Sequence, residues 1–158
     1  MAKDKVYKLL ATGIGLGNLP KAPGTWGSLG ALLFSLIIVN FASDPFPNFF
    51  HLILSVTSYF VGVHVCKKLI PIWGEDPGRI VIDEMCGLWI AFIFCPSSVY
   101  YYVLGFILFR FFDITKVLWI SKVDSIKGAH SIMLDDVLAG VYSGIILYFI
   151  YFFDILHI

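Results

Sequence analysis

Residues 85–109 read MCGLWIAFIFCPSSVYYYVLGFILF, 25 positions without an Asp, Glu, Lys or Arg. A helix that crosses a bilayer needs roughly 20 apolar residues. The stretch is therefore either one straight span or a hairpin that turns at Pro96-Ser97-Ser98. Three further uncharged runs surround it: Ala22–Ser43 and Pro45–Cys66, each of 22 residues, and Val137–Phe153, of 17. They show little of the 3.6-residue alternation that would give a soluble helix its polar face. The pattern is that of an all-α, polytopic integral membrane protein.

Composition agrees. Of 158 residues, 59% are hydrophobic and 14% charged, and mean hydropathy is +0.87. A soluble domain is about 45–50% apolar and about 25% charged. A soluble globular enzyme and a disordered chain are both excluded on this ground. The length suits a single domain over residues 1–158. Eleven Lys and Arg balance eleven Asp and Glu. That leaves no basic excess to hold a nucleic-acid backbone. Cys66, Cys86 and Cys95 lack metal-site spacing and read as small apolar residues in packed helices. The first residues, Met-Ala-Lys-Asp-Lys, do not resemble a cleavable signal peptide.

Positive charge orients the chain. Take 85–109 as a hairpin, with one arm from about Arg79 to Cys95 and the other from about Ser98 to Lys116. All eleven Lys and Arg then lie on the inner side, with only Asp44 and Asp154 outside. A straight span would instead put Arg110, Lys116, Lys122 and Lys127 outside. The hairpin is the better reading and gives four to five membrane helices. Two full spans need about 40 residues, so the arms either carry charged residues at their inner ends or stop short as a re-entrant pair. Ser43–Asn48 is the first outer loop. Lys67-Lys68 closes the second helix, and Asp76 and Pro77 can start the third. Trp26, Trp73, Trp89 and Trp119 read as interface anchors.

This topology gathers four polar clusters on the inner face. The first is the Gly-rich segment Gly13–Ser28, where the amides around Gly24 and Gly27 and the hydroxyls of Thr25 and Ser28 precede or begin an apolar helix and could cradle an anion. It lacks the ending of a Walker A loop. The second is Asp83-Glu84, the third Arg110, Asp113 and Lys116, and the fourth Asp135-Asp136. Two acidic pairs at the edge of a bilayer are better explained by a shared hard cation such as Mg²⁺ than by helix capping. Gly87 and Ala139 follow the acidic pairs at i+3, and Gly140 and Gly144 form a small-xxx-small pair. Such residues allow two helices to approach closely and bring four carboxylates together. Arg110 and Asp113 share a helix face, and Arg is a bidentate phosphate partner. Metal-binding acids, Arg110, Lys116 and a Gly-rich cradle together make a phosphate site.

These four segments, in this order, resemble the phosphatidylglycerophosphatase A family of membrane lipid phosphatases. They are Gly13–Leu29, with its Pro-Gly-Thr-x-Gly-Ser-Leu end, Ile80–Ile90, Phe109–Lys116 and Ile132–Gly140. The resemblance runs from about Gly13 to Gly144. It implies an all-helical fold and Mg²⁺-dependent hydrolysis of phosphatidylglycerophosphate to phosphatidylglycerol and phosphate, at the cytoplasmic face of a bacterial inner membrane. Asp83, Glu84, Asp135 and Asp136 are expected to hold the metal, Arg110 and Lys116 to bind phosphate, and Asp113 to orient one of them. Water attack and an aspartyl-phosphate route through Asp135 or Asp136 are both open. Two departures stand out. The family's Pro-x-Pro after the lysine is Val117-Leu118-Trp119 here, so the helix is expected to run further before it turns. Its Gly-Gly-x-Gly is Gly128-Ala129-His130-Ser131, which predicts a stiffer loop. The rival from another class is a small ion-coupled transporter or channel subunit using the acids as an ion site.

Overall fold

The computed structural model describes residues 2–41, 46–74, 77–117 and 119–153. Seven α-helices follow in order: α1 Ala2–Ala11, α2 Pro23–Phe41, α3 Phe46–Trp73, α4 Ile82–Phe92, α5 Val99–Thr115, α6 Ile120–Asp124 and α7 Ala129–Phe152. A 3-10 turn, Leu16–Asn18, links α1 to α2, and there is no strand among the described residues. The expected break at Ser43-Asp44-Pro45, the helix start expected at Asp76 and the outer charge of Asp154 lie outside the described residues.

Residues 85–109 are not one rod. They contribute to α4 and α5, which meet at the Pro96–Ser98 turn, where the Ser98 hydroxyl accepts from the Tyr101 N–H at 3.4 Å. The hydroxyl caps the start of α5. α4 has 11 residues and α5 has 17. At 1.5 Å per residue they are about 16 and about 25 Å long, against a hydrocarbon core of about 30 Å. Three helices are long and apolar enough to cross a membrane: α2, α3 and α7.

α4 lies at the centre, in contact with α2, α3, α5 and α7. Being apolar on nearly every side, it buries Cys86, Leu88, Trp89, Ala91 and Phe92. The helices around it are inside-out compared with those of a soluble protein. Phe34, Ile37, Phe60, Tyr148 and Phe149 are exposed. Ser35, Ser55, Ser58 and Ser143 are buried, and Ser35 and Ser143 donate to the carbonyl four residues back at 2.9 and 2.7 Å. Lipid can cover the apolar exterior, while internal hydroxyls must find partners inside.

Several boundaries differ from expectation. α3 does not stop at Lys67-Lys68 but runs to Trp73 with Pro71 in its last turn. Pro47 sits in its first turn, where a missing N–H costs nothing. α4 begins at Ile82 rather than near Pro77 or Arg79. The Val81 N–H donates to the Ala11 carbonyl at 2.9 Å and so ties this segment to α1. α5 does not run on past Lys116 for want of the prolines. Lys116 adopts φ 48°, and its N–H caps the helix on the Phe112 carbonyl. Trp89 is not an interface anchor but a core residue packed edge-on to Phe34. All three cysteines are free and buried, as their surroundings suggested.

The closest helix approach is between α4 and α7. A Cβ on Gly140 would land on the Gly87 carbonyl oxygen, and one on Gly87 would strike the Asp136 carbonyl. Overpacking a tight contact costs about 1–3 kcal/mol, and here the struck atoms are backbone that cannot swing aside. Gly140→Val should fall at the upper end of that range. Gly78→Ala, in open space, should stay within about 0.5 kcal/mol. Thermal unfolding in detergent compares them, and equal melting would refute the close crossing.

Candidate active site

The α4–α7 contact sets the position of the acids. Asp83 and Glu84 are in the first turn of α4. Asp135 and Asp136 are not at a helix start; α7 begins at Ala129, so they lie about two turns into it. They are thus beyond the reach of simple N-terminal capping. One carboxylate oxygen from each of Asp83, Glu84 and Asp136 lies within 4.8 Å of the others. Asp83 and Asp136 are buried, at 7% and 3% exposure. The Glu84 N–H donates to Asp83 Oδ1 at 3.1 Å. Glu84 Oε2 and Asp136 Oδ1 are buried without a hydrogen-bond partner among the described residues.

The Asp83 and Glu84 carboxylates are neighbours in this space and share it with Asp136. Three carboxylates this close cannot all ionise without a cation. Their oxygens, with two buried lone-pair sites unused, fit a hard divalent ion such as Mg²⁺. The fourth expected acid, Asp135, stands apart from this group and forms a close ion pair with Lys116.

Lys116 also reaches Asp113 Oδ1 at 3.4 Å. Burial alone would lower its pKa, but the charges of Asp136, Asp135 and Asp113 outweigh that and raise it. The ammonium is therefore held charged. A non-glycine residue in the left-handed region costs about 1–3 kcal/mol, and such strain tends to persist at functional sites. Arg110, one turn earlier on α5, donates from Nη1 to Asp113 Oδ2 at 2.5 Å and to Ser28 Oγ at 3.4 Å.

A cavity of about 400 Å³ collects Asp83, Glu84, Asp113, Lys116, Asp135 and Asp136 in its lining. The Gly24–Ser28 segment lies outside this lining, and so does Arg110. Gly24 supports the site from behind, since a Cβ there would collide with the Glu84 carboxylate and approach Arg110 Nη1 at 3.2 Å. Ser28 donates to the Gly24 carbonyl at 2.8 Å while accepting from Arg110. Gly27 packs against Val81, and Thr25 is half-buried off the cavity. Ser125, Lys127, Gly128 and Ser131 also line the cavity; Gly128 and Ser131 stood out in the sequence only as a departure from the family's loop, and none of the four as a site residue. Their signal was a Lys-Gly pair preceding a helix N-terminus, hidden because the apolar run begins only at Val137. His130 lies off the cavity and meets the Tyr59 hydroxyl at 3.3 Å.

Comparisons with known proteins agree on one chemistry. A family profile described as Phosphatidylglycerophosphatase A matches residues 9–151. A Bacteroides thetaiotaomicron protein, provisionally named a phosphatidylinositol-3-phosphatase, is 43% identical over 145 residues, 88% of this chain and 89% of that one. Proteins named phosphatidylglycerophosphatase A from Haemophilus influenzae and Escherichia coli are 36% and 35% identical. These alignments span 89% and 91% of this chain and 85% and 83% of theirs. No solved structure matches.

Gly24 carries no chemistry, so its substitution tests the packing of Glu84. Gly24→Ala should keep the wild-type helical content and melting temperature yet cut phosphatase turnover by about tenfold to a hundredfold, since a displacement of about 1 Å in a catalytic constellation can cost about a hundredfold. Circular dichroism and phosphate release read the two effects separately. Unchanged turnover would show that Glu84 need not sit where Gly24 allows it.

Proposed function

The chain belongs to the phosphatidylglycerophosphatase A family and is a phosphatase, and from that premise we propose that it hydrolyses the phosphate monoester of phosphatidylglycerophosphate. The products are phosphatidylglycerol and inorganic phosphate, in glycerophospholipid biosynthesis. The reaction takes place at the cytoplasmic face of a bacterial inner membrane, with α4 and α5 as a hairpin that brings Lys116 back to that face. The observation that carries this reading is the grouping of Asp83, Glu84 and Asp136 with Lys116 around one cavity.

Mg²⁺ held by Asp83, Glu84 and Asp136 would supply an activated water and Lewis-acid charge at the phosphoryl oxygens. Lys116 adds positive charge where phosphate oxygens gain negative charge. Asp113 and Asp135 fix its ammonium from two sides. Arg110, held by Asp113 and Ser28, offsets the charge of the acidic wall and sets the position of Asp113, and with it Lys116. Attack forms a bond from the water oxygen to phosphorus and breaks the phosphorus–oxygen bond to the headgroup, whose oxygen takes the proton that water lost.

The name of the Bacteroides relative favours a second substrate within the same class, a phosphate monoester on an inositol headgroup. A transporter or channel role would use the same acids but leaves the lysine beside them, and the family membership, without a purpose.

Phosphate release from phosphatidylglycerophosphate and from phosphatidylinositol 3-phosphate should be measured in detergent micelles, with Mg²⁺ or excess EDTA. Release from the first should depend on the metal and disappear in Asp136→Asn. Faster release from the second would reassign the substrate, and full activity in EDTA or in Asp136→Asn would remove the metal site. Arg110→Lys keeps the charge but replaces the planar guanidinium, whose Nη1 donates to both Asp113 and Ser28, with a shorter-reaching ammonium. It should cost about tenfold or more in turnover. An unchanged rate would leave Arg110 a purely structural role.

A further inference from the structure

On the inner side, away from the acids, a second groove of about 320 Å³ is lined by Lys5, Lys8, Thr12, Asn18, Trp73 and Arg79. It shares no lining residue with the acidic cavity. Four parts of the chain build it: α1, the 3-10 turn, the end of α3 and the segment before α4. The Ala11–Val81 hydrogen bond at 2.9 Å fixes that segment against α1. Lys8 Nζ sits 5.8 Å from the centre of the Trp73 ring. No carboxylate among the described residues lines the groove; Asp4 is one turn before Lys8 but outside it. Three cations converging on one hollow call for an anion.

The rest of α1 indicates what kind of anion. The helix has ten residues, so it is about 15 Å long and cannot cross a bilayer. Tyr7 packs inward against His64, with ring centres 5.8 Å apart. Val6, Leu9, Leu10 and Ile14 are exposed, Ile14 at 83%. Leu9 also lines the basic groove. Leu10 and Ile14 instead line an apolar crevice of about 250 Å³ with Leu54, Met85 and Trp89. One short segment thus has a cationic hollow on one side and an apolar one on the other. A free anion would use only the first. A helix with this division lies in the plane of the membrane interface.

We propose that this groove binds the headgroup of an anionic phospholipid in the leaflet that carries the acidic cavity, with Lys5, Lys8 and Arg79 on the phosphate and the apolar stripe of α1 against the acyl chains. The site is separate from the phosphatase reading and does not rest on it.

The test is thermal unfolding of the full chain in detergent, titrated with dioctanoyl phosphatidylserine, dioctanoyl phosphatidylcholine or inorganic phosphate. Phosphatidylserine carries net charge but no phosphate monoester, so it is not a substrate analogue. It should half-saturate at a concentration about tenfold or more below that of phosphatidylcholine. Lys5→Gln/Lys8→Gln/Arg79→Gln should erase that preference. Lys5→Glu alone, at an exposed position that folding does not need, should weaken it about fivefold. Asp136→Asn should keep it, which separates this site from the acidic cavity. Equal responses to the two lipids, or a preference that Lys5→Glu leaves undiminished, would overturn the proposal. Stabilisation by phosphate alone through the same three residues would make the groove a soluble-anion site and also overturn it.

Discussion

Two helix backbones touch where Gly87 meets Gly140, and the acidic site depends on that contact. Asp83 and Glu84 are one turn before Gly87, and Asp136 is one turn before Gly140. Any side chain at either glycine would meet the backbone of the facing helix and push α4 and α7 apart. The pairing of acids with nearby glycines is therefore one device: the glycines bring the helices together and the acids use the proximity.

Electrostatics then decides what the site can hold. Asp83, Glu84, Asp113, Asp135 and Asp136 form a wall of five carboxylates, with Arg110 and Lys116 as its named cationic partners. Full ionisation would leave an excess of three negative charges in a partly buried place. A divalent cation resolves this and then presents a surface suited to a phosphate dianion. The two basic side chains divide the work. Lys116 faces the cavity, whereas Arg110 stands behind the acids with Ser28 and Gly24. Positive charge elsewhere on this side, at Lys5, Lys8 and Arg79, is grouped in a separate groove bordered by apolar surface.

Much of this was legible from residue order. Uncharged runs located the long helices because a lipid-facing helix cannot carry charge cheaply. The Pro96-Ser97-Ser98 break and the placement of Lys and Arg favoured a hairpin over a rod at residues 85–109. The acids, Arg110, Asp113 and Lys116 stood out because charge is scarce in such a chain. Boundaries were harder. An uncharged run marks where charge is absent, not where hydrogen bonding starts, so α7 begins eight residues before the run at Val137. The same error kept Lys127 and Gly128, just before α7, and Ser131, in its first turn, from being read as part of the site.

The sequence by itself determined the class of fold and the residue types available for chemistry, because these follow from transfer free energies and composition alone. It could not rank the four acids or divide the roles of Arg110 and Lys116, since such roles depend on distances between residues far apart in the chain. Only the tertiary structure separated Asp135, paired with Lys116, from the Asp83, Glu84 and Asp136 group. Only it turned Gly24 and Ser28 from an expected cradle into supports for Glu84 and Arg110. The physical reason is that a carboxylate's role is set by the charge nearest to it, and helix packing decides which charge that is.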